Sequence, residues 1–494
     1  MRLAKILSAA IVPMFLLACG DDNPSINVNS PNGENPQDSS KVEPPPNIPD
    51  SALTPITRDY SKIWTAGEGT AENPYQIANE QDLRNLAFYV NDSSMNFKDK
   101  FFKQTADIAL SSAWSPIGVY GKNSLGYGNR PFSGTYDGGS KTISGLSISD
   151  TTAYSGLFGL IRGAHVSNLV IKGAKMNVGS YAGVLAGMMD SSVVENCTID
   201  GAEVKGKDRV AGLTGEATYV TVTNVAISGS VSGENSVAGI IGRMQNGTLT
   251  TLSNKAAVTG KSTVGGIVGA SASVGGESVI TSVLNYGTVT GTKDVGGLAA
   301  TMSMTKMERS GNYGEVTASE SQLGSAGGVV GVASSKSSLN EVFNTAKVSG
   351  TKVMAVGGVI GSMKTITATN VFNHGEIAGD ASTFKGGLIG IIDGESKLEF
   401  SYNKGKIPDD NNSGTVAGKA SMTAALANVY YDKTVGGTCL DIASHMLGQD
   451  MLPTGLPTEN MITATFATTL TGAGGSWKSE PTKFDGYPAF AWIQ

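Results

Sequence analysis

The sequence predicts an all-β protein whose short strands stack in parallel as a solenoid of about nine repeats, and three observations carry that reading. A five-residue Gly-aliphatic core recurs nine times: SGLFG (155–159), AGVLA (182–186), AGLTG (211–215), AGIIG (238–242), GGIVG (265–269), GGLAA (296–300), GGVVG (327–331), GGVIG (357–361) and GGLIG (386–390). From Gly156 to Gly387 the second residues of these cores are spaced about 29 residues apart on average. Glycine supplies 65 of 494 residues and charged residues only 16%, too polar-poor for a disordered chain and too glycine-rich for a helical repeat. Proline is absent between Pro131 and Pro408, as expected where almost every backbone N–H enters a ladder. The net charge of −6 excludes a nucleic-acid partner held by a general basic surface, and three cysteines exclude a disulfide scaffold.

In chain order, the first segment is 1–18, where Arg2 and Lys5 precede an apolar run from Ile6 to Leu17 that is too short to span a membrane. It reads as a secretory signal. Its end, Leu16-Leu17-Ala18-Cys19, resembles the lipobox of bacterial lipoproteins, which implies a diacylglycerol and an N-acyl chain on Cys19 as the new first residue. The membrane is then a partner through these chains alone, each buried methylene contributing ~0.8 kcal/mol. Residues 19–56, rich in Asn, Asp, Ser and Pro, read as a solvated tether. Asp21 and Asp22 resemble the acidic export signals of Gram-negative surface lipoproteins, and Gly20 is not the Asp of inner-membrane retention. The expected address is the outer membrane, lipid-anchored, with the body facing either the cell surface or the periplasm.

Residues 57–150 read as an α+β amino-terminal cap. Asn79 is placed to cap a helix running to about Val90, with Leu83, Leu86, Ala87 and Val90 on one face, and strands are expected around Asp107 to Leu110 and Lys141 to Ser144.

The repeats themselves occupy 151–420. The residue after each core glycine is aliphatic in all nine copies: Leu157, Val184, Leu213, Ile240, Ile267, Leu298, Val329, Val359 and Leu388. Stacked directly over one another they form a buried column, each side chain contributing ~1.5–3 kcal/mol. Each unit also carries an asparagine, Asn168, Asn196, Asn224, Asn254, Asn285, Asn312, Asn344, Asn373 or Asn403, expected to form a second ladder of stacked amides. The glycines supply φ > 0 corners and close backbone approach. Residues 421–494 read as a carboxy-terminal cap, because Trp477 and Trp492 lie there and Trp64 and Trp114 at the other end, leaving the repeats without tryptophan.

The Gly-Gly-aliphatic-aliphatic-Gly units resemble the GLUG repeat of bacterial surface proteins. The strings NPYQI (73–77), ADIAL (106–110), WSPIG (114–118) and PFSGTYDGGSKTISGLSI (131–148) are similar to the segment that precedes such repeats, and NVYYD (428–432) and GYPAFAW (486–492) to their usual ending. The resemblance implies a right-handed parallel β-helix on a secreted or surface protein. It does not imply one activity.

The chemistry-bearing residues are sparse. His165, His374 and His445 stand outside any H-E-x-x-H pattern and read as surface or turn residues, and no G-x-S-x-G elbow exists. Asp208, Glu234, Asp294, Glu315, Glu341 and Glu376 fall singly on different repeats. The loop Asp409, Asn411, Ser413 places oxygens at alternate positions like a calcium loop, but Ala420 stands where a bidentate Glu belongs. Cys197 reads as a core thiol, too distant from Cys439 to bridge. No cofactor or catalytic residue is therefore expected. The reading is a non-catalytic adhesion or binding scaffold with a glycan or extracellular protein as ligand. Aromatic residues beside the asparagines, Tyr286, Tyr313, Phe343, Phe372 and Tyr402, are expected to pack a corner of the coil or to stack on sugars. The alternative, a carbohydrate-active β-helix lyase or hydrolase, predicts one groove where at least three charged side chains converge.

Overall fold

The computed structural model describes residues 64–493 apart from 65, 94, 122–127, 437–438, 446–451 and 480. The signal segment 1–18, Cys19 and the tether 19–56 lie outside the described residues. The rest is a parallel β-solenoid. Thirteen successive parallel pairings connect the strands of one face, from Tyr75–Ile77 through Phe101–Gln104, Thr135–Asp137 and each later coil to Thr454–Leu456. At ~4.8 Å per coil that is a stack of roughly 60 Å. The nine sequence repeats are thus the middle of a longer coil, and the strands at Ile108–Ala109 and Thr142–Ser144 pair with each other as its early turns.

The helix occupies Glu80–Asn91, where the Asn79 side chain accepts from Asp82 N and the Asp82 carboxylate accepts from Ala78 N. Its buried face, Leu83, Leu86 and Val90, joins the core, while Asn91 bonds Pro116 O and Gly118 N and Arg84 lies over Trp114. The helix is therefore fastened to the second turn. Trp64 adds rings from Tyr75, Tyr89, Phe97 and Phe102 around it.

The nine aliphatic residues from Leu157 to Leu388 are each 0–1% exposed. Their N–H groups run up the stack in register: Leu157 to Val184 O, Leu213 to Ile240 O, Leu298 to Val329 O and Val359 to Leu388 O. They belong to one cluster that runs from Trp64 to Ile442.

The nine asparagines do not form one column. Asn168, Asn196 and Asn224 sit at an outward corner in the left-handed region, φ 52, 54 and 53°, bonding one another side chain to side chain. In the next coils that corner passes to Thr251, Ser282, Arg309, Glu341, Asn370, Phe400 and Asn428, all with φ between 44 and 58°. Asn254, Asn285, Asn312, Asn344, Asn373 and Asn403 belong to an inner column whose earlier members are Ile143, Ile171, Ile199 and Ile227. These six are 0–1% exposed, and each Nδ2 donates to the next Asn Oδ1 at 2.8–2.9 Å until Asn403 ends the chain on Thr415 O.

The switch has a local cause. Where the inner residue is isoleucine, the chain turns the corner through Gly145, Gly173, Gly201 and Gly229, all at positive φ. Where it is asparagine, no such residue is needed, because the side chain bridges the turn. Asn344 Nδ2 donates to Ala346 O at 2.7 Å while its Oδ1 accepts from Ala346 N, and Asn373 does the same with Gly375. The core glycines face this ladder: a Cβ on Gly328 would lie 2.4 Å from Asn344 Cγ and 2.1 Å from Gly358 O. No side chain fits there.

Replacing Asn344 by Ala removes both bonds to Ala346 and takes from the buried Asn312 Nδ2 one of its two acceptors, leaving it Gly314 O alone, at about 1–3 kcal/mol for each buried hydrogen-bonding group stranded. The expected outcome is loss of amide-exchange protection at Ala346 and its neighbouring coils, with the amino-terminal coils unchanged. Asn177→Ala, on an outer strand position, should leave protection intact.

Candidate functional site

The functional surface follows from what lies beside the asparagine ladder. The residue before each inner position points outward, giving the column Leu284, Gly311, Phe343, Phe372, Tyr402 and Tyr430. Phe343 and Phe372 stack at 5.1 Å and 8°, Phe372 and Tyr402 at 5.4 Å and 7°, spacings set by the coil repeat. Gly311 leaves room, since a Cβ there would strike the Phe343 ring at 2.2 Å.

This outward column is nevertheless buried. After Thr454–Leu456 the chain leaves the coil, forms the helices Thr458–Met461 and Ala464–Leu470 and the antiparallel pair Trp477–Lys478 with Ala489–Phe490, and runs back over the flank. Met461, Phe466, Leu470, Trp477, Tyr487 and Phe490 close over Phe343, Phe372 and Tyr402 as a second hydrophobic cluster. Trp477 and Trp492, expected at the carboxy-terminal end of the stack, thus cover its side. Polar bonds fix the segment: Trp477 Nε1 to Asn370 Oδ1 at 3.0 Å, Ser476 N to Glu341 Oε1 at 2.5 Å, Tyr402 Oη to Pro488 O at 2.6 Å, Tyr487 Oη to Asp432, and Lys404 to Asp485. The Tyr487 hydroxyl holds the Asp432 carboxyl below the usual range against the opposing effect of its burial.

His374 is part of this packing and is not a free surface residue. Its Nε2 lies 2.8 Å from Tyr402 Oη, and rings of Phe372, Phe484 and Tyr487 surround it. Tyr402 Oη already donates to Pro488, so the histidine nitrogen donates to it. Burial, then the nearby Lys404 ammonium, push its pKa well below 6.5.

The flank is covered only in part. Beyond Phe343, Trp492 and Ile493 of the segment line an open groove of about 510 Å³, with Tyr286 and Tyr313 on its other side. A second cleft of about 450 Å³ at the amino-terminal turns is lined by Asn91, Ser115, Tyr120 and Tyr154. There Tyr120, Tyr154 and Tyr181 stack at 4.3 and 4.2 Å, and Arg209 sits over Tyr181 at 4.6 Å.

The charged residues singled out from sequence stay apart. Glu234 pairs with Lys261 at 3.0 Å and Glu376 with Lys347 at 3.0 Å, Asp208 accepts from Asn235, and the Asp294 carboxyl, pushed up by burial, accepts from Ser325 N. His165 pairs with Glu195 at 2.9 Å. Cys197 is buried, its thiol pushed up to about 11 by desolvation, and Cys439 bonds Pro408 O.

Beside the loop of Asp409, Asn411 and Ser413 stands a cation of the protein's own. Lys385, 0% exposed, places its ammonium 2.6 Å from Asp380 O, 2.7 Å from Thr383 O and 3.2 Å from Asp410 Oδ2. Ser413 spends its hydroxyl on Asp410 at 2.8 Å. Among the described residues no group of three or more His, Cys, Asp or Glu is placed to hold a metal ion.

One convergence escaped the sequence. Glu216, nearly buried, lies 3.2 Å from Arg209 Nε and 3.5 Å from Arg243, and Arg209 also donates to Tyr181 Oη. Burial raises the carboxyl and the two guanidinium groups oppose that. The signal was spacing: residues 216 and 243 are aligned neighbours on adjacent coils.

No family model matches the chain. Over 196 residues it is 30% identical to halomucin of Haloquadratum walsbyi, a match covering 37% of this chain and 2% of that protein. Over 144 residues it is 32% identical to a protein of Evansella cellulosilytica described as a Gly-rich membrane protein, covering 27% of this chain and 16% of the relative. The chain thus spans a small part of the curated relatives it matches. A crystal structure described as an immunoglobulin A1 protease of Bacteroides ovatus aligns with 87% of this chain and 96% of its own at a TM-score of 0.39 and 16% identity.

His374 gives the flank a pH dependence of definite sign. Below pH 6.5 the unfolded chain takes up a proton that the folded imidazole refuses, so stability falls as the pH drops from 6.5 toward the depressed folded value. His374→Gln keeps a donor for Tyr402 and removes the titration. Its thermal midpoint should therefore decline less than that of the natural protein between pH 6.5 and 5.

Proposed function

We propose that this chain is a lipid-anchored outer-membrane protein that serves at the cell surface as a non-catalytic binding scaffold, built on repeats of the GLUG type. The observation that carries the reading is how the charges are used. Arg162 with Asp190, Glu234 with Lys261, Lys347 with Glu376 and Lys364 with Asp393 all pair between successive coils, along the stack. Exposed pairs of this kind contribute little, typically ~0–1 kcal/mol, and hold their charges along the stack rather than toward a common point. The acylation pattern at Cys19, the polar tether and a stiff stack of coils suit a body held away from the membrane. The names of the two curated relatives, a mucin-like name and a membrane protein, are consistent with an extracellular or membrane-associated setting.

Protease treatment of intact cells tests this directly. The natural protein should be degraded from outside and should take up labelled palmitate, whereas Cys19→Ala should lose the label and fractionate without the membrane. A protein that keeps its label but survives the protease faces the periplasm, and the surface reading then fails.

The Glu216, Arg209, Arg243 and Tyr181 group favours a second reading, an enzyme acting on an acidic polysaccharide. If it holds, polyuronates are shortened by the natural protein and at least about a hundredfold more slowly by Glu216→Gln. No shortening by the natural protein disposes of it.

A further inference from the structure

We infer that the open end of the aromatic column is a binding subsite for a neutral sugar, a deepening that rests on the scaffold reading above. The observations are those of a groove left uncovered. The carboxy-terminal segment seals Phe343, Phe372 and Tyr402, and its Trp492 lines the groove together with Tyr313. Tyr313 and Tyr286 continue the aromatic surface one and two coils beyond, and Tyr286 is 44% exposed.

The walls are already ordered. Tyr286 and Tyr313 lie parallel at 5.1 Å and 3°, the Lys255 ammonium stands 6.0 Å from the Tyr286 ring, and Tyr313 meets the edge of Phe343 at 5.2 Å. Rings fixed by the coil repeat have little rotamer freedom left to lose on binding. The floor is different in kind. Thr251 and Ser282 occupy the outward corner at φ 56 and 58°, and their hydroxyls make no hydrogen bond to another of the described residues.

Among the described residues that line this groove of about 510 Å³ none is charged, and the Lys255 ammonium stands 6.0 Å off over the Tyr286 ring. A charged ligand would lose hydration against a lining that is polar but uncharged. A purely apolar ligand would strip water from the two hydroxyls and return no bond. A pyranose satisfies both walls and floor: its C–H face lies on Tyr286, Leu284 and Trp492, and its hydroxyls exchange hydrogen bonds with Ser282 and Thr251.

The test is titration of the full mature protein with neutral hexo-oligosaccharides and, in parallel, with matched polyuronates and with extracellular-matrix protein. Neutral oligosaccharides should bind, and both Tyr286→Ala, which removes a wall, and Thr251→Arg, which fills the floor, should weaken binding at least about tenfold. Both positions are exposed, so an unchanged thermal midpoint separates loss of the subsite from loss of the fold. Preference for the uronates, affinity indifferent to both variants, or no neutral sugar bound at all would each overturn the subsite. Protein binding that survives both variants would leave the scaffold reading in place while removing this one, whereas cleavage of any glycan would remove the scaffold reading itself.

Discussion

The structure depends on one constraint: every residue must tolerate a copy of its own position directly above and below at the spacing of a backbone hydrogen bond, ~4.8 Å. Few side chains do so in a dry interior. Aliphatic groups do, because they gain contact on both faces, and the column from Leu157 to Leu388 is built of nothing else. Glycine does where two coils approach most closely, as at Gly328 beneath Gly358 O. Asparagine does because its amide is at once donor and acceptor in the direction of stacking. Asn285 satisfies its Nδ2 on Asn312 and on Gly287 O without water.

The same constraint explains how much of the fold was legible. A stacked column writes itself into the chain as a repeat, so the Gly-aliphatic core and the helix capped by Asn79 could be read from residues alone. The turns formed by Phe101–Gln104 or Ala425–Asp432 could not, since their corners are irregular and lack the glycine core, although they join the same ladder. The asparagines were misread as one column for a related reason. Gly156 stands twelve residues before Asn168, but Gly239 stands fifteen before Asn254, and those three residues move the amide from an outer corner to the interior. The replacement of Ile-x-Gly by Asn-x-Gly or Asn-x-Ala at the same place was the available clue.

The candidate site was hidden for a stronger reason. Nothing in a repeat pattern announces that the chain will leave the coil and lie along its flank, because the contacts of Trp477 with Asn370 and Tyr402 with Pro488 join residues about a hundred positions apart with no shared period. An aromatic beside the asparagine ladder therefore has two fates. Under the returning segment it becomes interior, as Phe372 does before its asparagine, and beyond the segment it is a wall of a groove, as Tyr313 is after its own. Sequence gives the chemistry of such a residue but not which fate applies.

The inner amides also have a direction. From Asn254 to Asn403 every link donates toward the carboxy-terminal coil, and the series closes on a main-chain oxygen, Thr415 O. A head-to-tail series of this kind is indifferent to its own length. A whole coil inserted between Asn312 and Asn344 would be taken up with every donor still matched, while a fraction of a coil would strand two of them. Such a body can lengthen or shorten over generations by gene duplication and deletion in whole-turn steps, and its length can evolve without redesign of its ends.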